Sequence, residues 1–347
     1  RYMKIWNSNP AWPWPCDEEI AKYLDVPDYY LAGYEEVRGF LRGLHKGRIE
    51  SAGKSAGGRD LTVVYCGPDA PERTLCVTGG THGTEVEGVA AVVNTIRVLD
   101  CGSDLRGQAW PALTEVARRV GFYLMPFFNP DAAARAVVKS YVGMPFEVVN
   151  HLHVGFWKNG RTLDRKRVFG PWTPESDLTG KLDRVGYLGA RYNDAGADIN
   201  RPCSRTEATA VETRQMLEYL RQRRVDCYLD MHSHSTDPWL GICPPEHTSG
   251  NHGDLVKLQQ LTREKTVQAG GPDLKLAVKG TRTWFNSHFF PANLGIYALT
   301  YEEKAGFKGN FPEETPPEEI WLANVYNGMR TILGLAQALL EVPSPWS

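Results

Sequence analysis

The 347-residue chain is predicted to fold as a single α/β domain, with a mixed, mostly parallel twisted sheet and helices on both faces. Three observations predict this. Short apolar runs that read as buried strands alternate with longer stretches of helical period, the pattern of a mostly parallel sheet covered on both sides. His82, Asn129, His232 and Glu302 each follow, or nearly follow, a predicted strand end, where the sites of such sheets lie. The composition, 42% hydrophobic and 23% charged, is that of a globular protein long enough to bury a large core.

Residues 1–33 are rich in Trp, Pro and Tyr without a clear period, and are expected to form an arm or small lid on a body spanning 34–347. Tyr34 to Leu44 places Val37, Phe40, Leu41 and Leu44 at helical spacing. Ile49 to Tyr65, interrupted by Gly53-Lys-Ser-Ala-Gly-Gly58, predicts a strand, a glycine turn and a second strand. Thr74 to Thr78 is the next strand. It leads through Gly79-Gly80-Thr81-His82-Gly83-Thr84-Glu85 into a helix over 86–99. Trp110 to Val120 is predicted as a helix and Phe122 to Phe128 as a strand, closed by the turn residues Asn129-Pro130-Asp131. Residues 144–190 hold many glycines, prolines and charges with no sustained period, and an irregular stretch of that length inside a domain is usually functional. A helix over Thr206 to Arg224 precedes the strand Cys227 to Met231, which runs into His232-Ser-His-Ser235. Leu255 to Ala269 is a helix, followed by a loop, a strand over Gly295 to Tyr301 and a closing helix over Pro317 to Leu340.

The formal charge of −2 gives no electrostatic reason to propose nucleic acid or an anionic membrane as partner. No apolar run reaches bilayer length, and no signal pattern opens the chain, which begins at Arg1 and so leaves upstream processing open. Seven cysteines, scattered and without CxxC spacing, read as reduced core residues and favour a reducing, cytoplasmic setting over secretion.

The glycine-rich turn carries the first chemical signal. His82 and Glu85, three residues apart on a strand-to-helix turn, can reach one metal ion together. A catalytic zinc takes three protein ligands, imidazole or carboxylate, and keeps one position for water. The third ligand must come from elsewhere, and His232 ends a strand on the same edge. His234 is two residues on and faces the same way if the strand continues. A second group, Arg191-Tyr-Asn-Asp-Ala-Gly-Ala-Asp198-Ile-Asn200-Arg201, is either a polar surface loop or a set of carboxylate-binding donors. Asp198 is suited to accept the second ring N–H of a zinc-bound histidine.

These segments together resemble the zinc metallocarboxypeptidases of the carboxypeptidase A-like family. The matches run in family order: Gly53-Lys-Ser-Ala-Gly-Gly-Arg59, His82-Gly-Thr-Glu85, Asn129-Pro-Asp131, Arg191-x-Asn with Asp198-x-Asn200-Arg201, His232-Ser and Thr300-Tyr-Glu302. They span about residues 34 to 341, nearly the whole chain. The resemblance implies a carboxypeptidase-like fold with one Zn2+ per chain held by His82, Glu85 and His232. It implies Glu302 as general base, Arg191 as the group polarising the scissile carbonyl, and Asn200 and Arg201 as the clamp on the substrate's terminal carboxylate. Asp198 matches the partner of the first histidine. Glu303 is chemically equivalent to Glu302, but successive strand residues face opposite ways and the Thr-x-Glu match favours Glu302.

The chain also departs from the family, which commonly has a mobile tyrosine in the loop before the Glu302 strand. No tyrosine occurs here between Tyr228 and Tyr297, where Trp284, Phe285 and Phe289 stand instead. The 144–190 stretch is long for its place and is expected to line the cleft. Its Arg161, Arg165, Lys166 and Arg167 read as a solvated basic face. Arg282 is open to either of two roles, meeting an acidic substrate side chain or lying at the surface. The expected activity is hydrolysis of a C-terminal amide bond in a peptide or peptide-like substrate with a free carboxylate. The alternatives are a zinc amidase or deacylase of N-acyl amino acids, of the desuccinylase and aspartoacylase kind, and an inactive zinc-binding module.

Overall fold

The centre of the molecule is built by strands whose alternate residues face two separate apolar layers. In β3 (Arg73–Thr78), Leu75 and Val77 join one buried cluster and Cys76 the other. In β4 (Val120–Met125), Phe122 and Leu124 face the first cluster, Tyr123 and Met125 the second. The same division holds for Leu229 against Tyr228 in β7 (Cys227–Ser235) and for Leu299 against Ala298 in β10 (Tyr297–Lys304). Strands apolar on both sides demand cover on both sides. The helices Val86–Cys101, His252–Gln268 and Pro317–Leu339 supply it on one face, through Val89, Leu258 and Met329. Val211–Arg223 and Asn286–Leu294 supply it on the other, through Met216, Leu220, Phe289 and Phe290.

The structure, a computed structural model, describes residues 22–163, 169–248 and 252–346. With β1 (Arg48–Lys54), β2 (Asp60–Cys66), β8 (Trp239–Ile242) and β9 (Lys275–Val278), the main sheet has eight strands in the order β1-β2-β4-β3-β7-β10-β8-β9. β3 is parallel to β4 and β7, and β7 is parallel to β10, so their carboxyl ends share one edge. Register on that edge sets Thr78 beside Asp230 and His232 beside Glu302.

The α/β class, the mixed sheet and its two-sided cover are as the sequence predicts. Several elements differ. The helix expected over Trp110–Val120 covers only Pro111–Val116, because Val120 already opens β4. The helix expected from Thr206 begins at Val211. The last strand is displaced from Gly295–Tyr301 to Tyr297–Lys304, since Gly295 takes a left-handed φ of 76° to cap the preceding helix. That helix, Asn286–Leu294, contains Pro291 and was hidden by it; β8 and β9 have four residues each, too few for a period to register.

The stretch 144–190 is not wholly irregular. It contains a helix (Phe146–Val154), then β5 (Gly155–Trp157) paired antiparallel with β6 (Val185–Leu188), around a small core of Val154, Leu163, Leu178 and Tyr192. Arg165, Lys166 and Arg167 lie outside the described residues, as do residues 1–21 of the N-terminal arm. The described end of that arm packs on the body: Tyr30 is fully buried, and Tyr29 O accepts from Asn94 Nδ2 at 2.8 Å. Among the described residues the cysteines are free, and no helix is long and apolar enough to cross a membrane.

Candidate active site

The turn after β3 places two of the site residues. Gly80 has φ of 59°, and a Cβ on Gly79 would meet the Gly88 carbonyl carbon at 2.9 Å, so this sharp bend against the next helix requires glycine. The bend directs His82 and Glu85 inward, both almost fully buried. β7 continues through Ser235, two turns of alternation past its expected end, and carries His232 to the same point.

The three side chains meet. His82 Nδ1 lies 2.8 Å from Glu85 Oε1, and His232 Nδ1 lies 2.5 Å from Glu85 Oε2. Each ring has a carboxylate behind it: His82 Nε2 is 3.3 Å from Asp198 Oδ1, and His232 Nε2 is 3.0 Å from Asp230 Oδ2. Asp230 is itself fixed by Thr81 Oγ1 at 2.7 Å and Thr78 Oγ1 at 3.3 Å. Burial alone would raise the Glu85 carboxyl, but the two imidazoles hold it well below the usual carboxylate range. Burial would likewise depress His232, yet Asp230 and Glu85 raise it well above an ordinary histidine.

His153, from the 144–190 stretch, also enters the site. A ligand atom of His82, of Glu85 and of His153 all lie within 4.8 Å of one another. Arg191 Nη1 donates to His153 Nε2 at 2.9 Å, which leaves the proton on Nδ1 to donate to Thr84 Oγ1 at 2.5 Å. Burial, and then the Arg191 charge, push His153 well below its ordinary pKa, so its ring is neutral. His234 follows His232 on the same strand face, but its ring packs 4.8 Å from that of His153 and beside Phe146, Phe169 and Phe307.

Arg191 is buried, and its Nε and Nη2 donate to Asp198 Oδ2 at 3.0 and 2.6 Å. Asn200 sets Nδ2 3.2 Å from His232 Nε2, while its Oδ1 accepts from Asn286 N at 3.0 Å. Arg201 is buried beside it and directs its donors to backbone carbonyls. Glu302 Oε2 accepts from His234 N at 2.9 Å, and burial raises its carboxyl despite the neighbouring His232. Glu303 points the other way, where Tyr301 Oη donates to it at 2.5 Å. Arg282 is exposed.

All eight residues singled out from the sequence thus gather at one sheet edge. Asp230 and His153 were missed. The first is legible in hindsight, since Asp230 and His232 are two apart on a strand and share a face. No local signal marks His153, whose place depends on a long connection folding back.

Two imidazoles and a carboxylate suit a divalent zinc ion, and a carboxylate behind each ring is the arrangement that orients metal-bound histidines. The fold and this donor set define a metallocarboxypeptidase-type hydrolase. The family model described as zinc carboxypeptidase matches residues 45–270. The chain belongs to this zinc-dependent peptidase family. Its fold is similar to a metallo-carboxypeptidase from Burkholderia cenocepacia, with TM-score 0.57 and 16% identity over 88% of this chain and 68% of that one. A Pseudomonas aeruginosa metallo-carboxypeptidase in complex with (2-guanidinoethylmercapto)succinic acid gives TM-score 0.56 and 17% identity over 89% and 69%. Bovine thrombin-activatable fibrinolysis inhibitor in complex with tick carboxypeptidase inhibitor gives 0.53 and 14% over 91% and 99%. No curated protein matches the chain in sequence.

Proposed function

We propose that this protein is a zinc carboxypeptidase that releases the C-terminal residue of a peptide or peptide-like substrate bearing a free carboxylate. The observation that carries this reading is the convergence of His82 Nδ1 and His232 Nδ1 on the two oxygens of Glu85, with Glu302 in register beside His232. His82, Glu85 and His232 are the ligands of one zinc ion. His153 is left outside this ligand set, as the partner that accepts from Arg191 at Nε2 and meets Thr84 Oγ1 at Nδ1.

Zinc held there supplies Lewis acidity and lowers the pKa of water toward ~7. Glu302, with Oε2 anchored by His234 N, takes a proton from the attacking water on its other oxygen and returns it to the leaving amine. Arg191 commits three of its five N–H groups to Asp198 and His153, and the two that remain are donors for the developing oxyanion. Asn200 and Arg201 hold the terminal carboxylate.

The test is turnover of blocked dipeptides against N-acetyl and N-succinyl amino acids, by wild type and by Glu302→Gln. Dipeptide cleavage that drops about 10²–10⁴-fold in the variant supports the reading. Cleavage of the N-acyl amino acids alone replaces it with the deacylase.

A further inference from the structure

Two cations, Arg201 and Lys279, lie against one aromatic ring, and among the described residues neither makes an ion pair. Arg201 gives Nη1 to Asn200 O at 2.9 Å, Nε to Gly170 O at 3.1 Å and Nη2 to Phe169 O at 3.4 Å. Its guanidinium carbon lies 4.7 Å from the ring centroid of Phe285. Lys279, the residue after β9, places Nζ 4.1 Å from the centroid of that same ring and 5.6 Å from the Trp239 ring. The main chain at Lys279 is fixed, since its N donates to Ile242 O at 2.9 Å.

Lys279 is half-buried, and among the described residues no ion pair engages its ammonium. Burial pushes its pKa down to about 8, with Glu302 and Asp230 acting only through space against that. Aromatic faces attract a cation but carry no charge of their own, so the ammonium is partly stripped of water without a counter-ion. Such a group gains most from an anion delivered by a ligand.

The proposed clamp on the terminal carboxylate uses Asn200 and Arg201, which already matches one negative charge. Lys279 on the shared Phe285 ring is one cation more than a single carboxylate needs. With the two cations 4.7 and 4.1 Å from the centroid of one ring, a ligand that carries two carboxylates can offer one to each. We propose that Lys279 is the specificity-determining residue for a C-terminal glutamate or aspartate, binding its side-chain carboxylate while Arg201 takes the α-carboxylate. This rests on the carboxypeptidase reading and names its substrate class. Arg282, the other cation the sequence offers for that role, is exposed.

The experiment compares blocked dipeptides ending in Glu and in its uncharged isostere Gln, with wild type, Lys279→Met and Lys279→Glu. Calorimetric binding of free L-glutamate and L-glutamine to the zinc-loaded proteins runs in parallel. Wild type is expected to favour Glu over Gln by about 30-fold or more in kcat/KM, the lower range for losing one partner of a desolvated charge pair. That ratio collapses toward one in Lys279→Met and inverts in Lys279→Glu. Equal use of Glu and Gln by wild type overturns the proposal. So does a parallel loss on both substrates with the ratio kept, which would place Lys279 on the α-carboxylate. If neither dipeptide is cleaved, the carboxypeptidase reading falls, and the binding data still decide: a preference for glutamate lost in Lys279→Met supports the anion site, equal affinities overturn it.

Discussion

Glu303 offers a prediction whose size follows from its surroundings. It sits on β10, buried beneath the site, with Oε2 accepting from Tyr301 Oη and Oε1 from Lys304 N at 2.9 Å. Burial is the main reason its carboxyl is pushed up from 4.5 to about 8, and the neighbouring carboxyl of Glu87, itself pushed up to about 7, adds to it. The folded protein keeps this proton up to about pH 8, whereas the unfolded chain releases it near 4.5. Between those values the native state binds more protons, so stability is fully present below 4.5 and is lost as pH rises through 8. At 1.36 kcal/mol per unit the shift sets a ceiling of about 5 kcal/mol. Water entering on ionisation lowers the cost, and about 2–3 kcal/mol is expected. Glu303→Gln keeps the shape and removes the ionisation. Urea unfolding from pH 5 to 9 at constant zinc should find variant and wild type alike at pH 5. At pH 9 the variant should be the more stable by that amount, several degrees in Tm. Parallel stability curves for the two proteins would refute the reasoning.

Other expectations concern the site and its frame. Asp230→Asn, which weakens the hold on His232 Nε2, should lower zinc affinity about 10–100-fold in a chelator competition, with the fold retained by circular dichroism. His153→Ala should lower kcat about tenfold or more, with zinc content unchanged, because Arg191 loses the acceptor that fixes Nη1. Gly88→Val should destabilise by about 2 kcal/mol or more in thermal unfolding, since even a Cβ there meets Met231 Cβ at 3.0 Å and its backbone oxygen at 3.2 Å.

The sheet was legible because its strands are apolar on both faces and its long helices carry a strong period. Leu75-Cys76-Val77 and the run from Phe122 need no context to be read as buried. The site was legible because the donors stand next to strand ends, and parallel pairing of β3, β7 and β10 brings those ends to one edge. What escaped depends on distant contacts. Trp239–Ile242 becomes a strand because β10 offers an edge to pair with, and Lys275–Val278 because Trp239–Ile242 then offers the next. Lys279 stands beside Phe285 and Trp239 only after that pairing is made. His153 reaches Arg191 only through the fold of its own small core around Tyr192.

We propose that His82, Glu85 and His232 hold the zinc, with His153 outside the ligand set. The most direct measurement is zinc per chain in wild type, His232→Ala and His153→Ala after equal loading and dialysis. One zinc is expected in wild type and in His153→Ala, and little in His232→Ala. Zinc retained by His232→Ala and lost from His153→Ala would contradict that assignment.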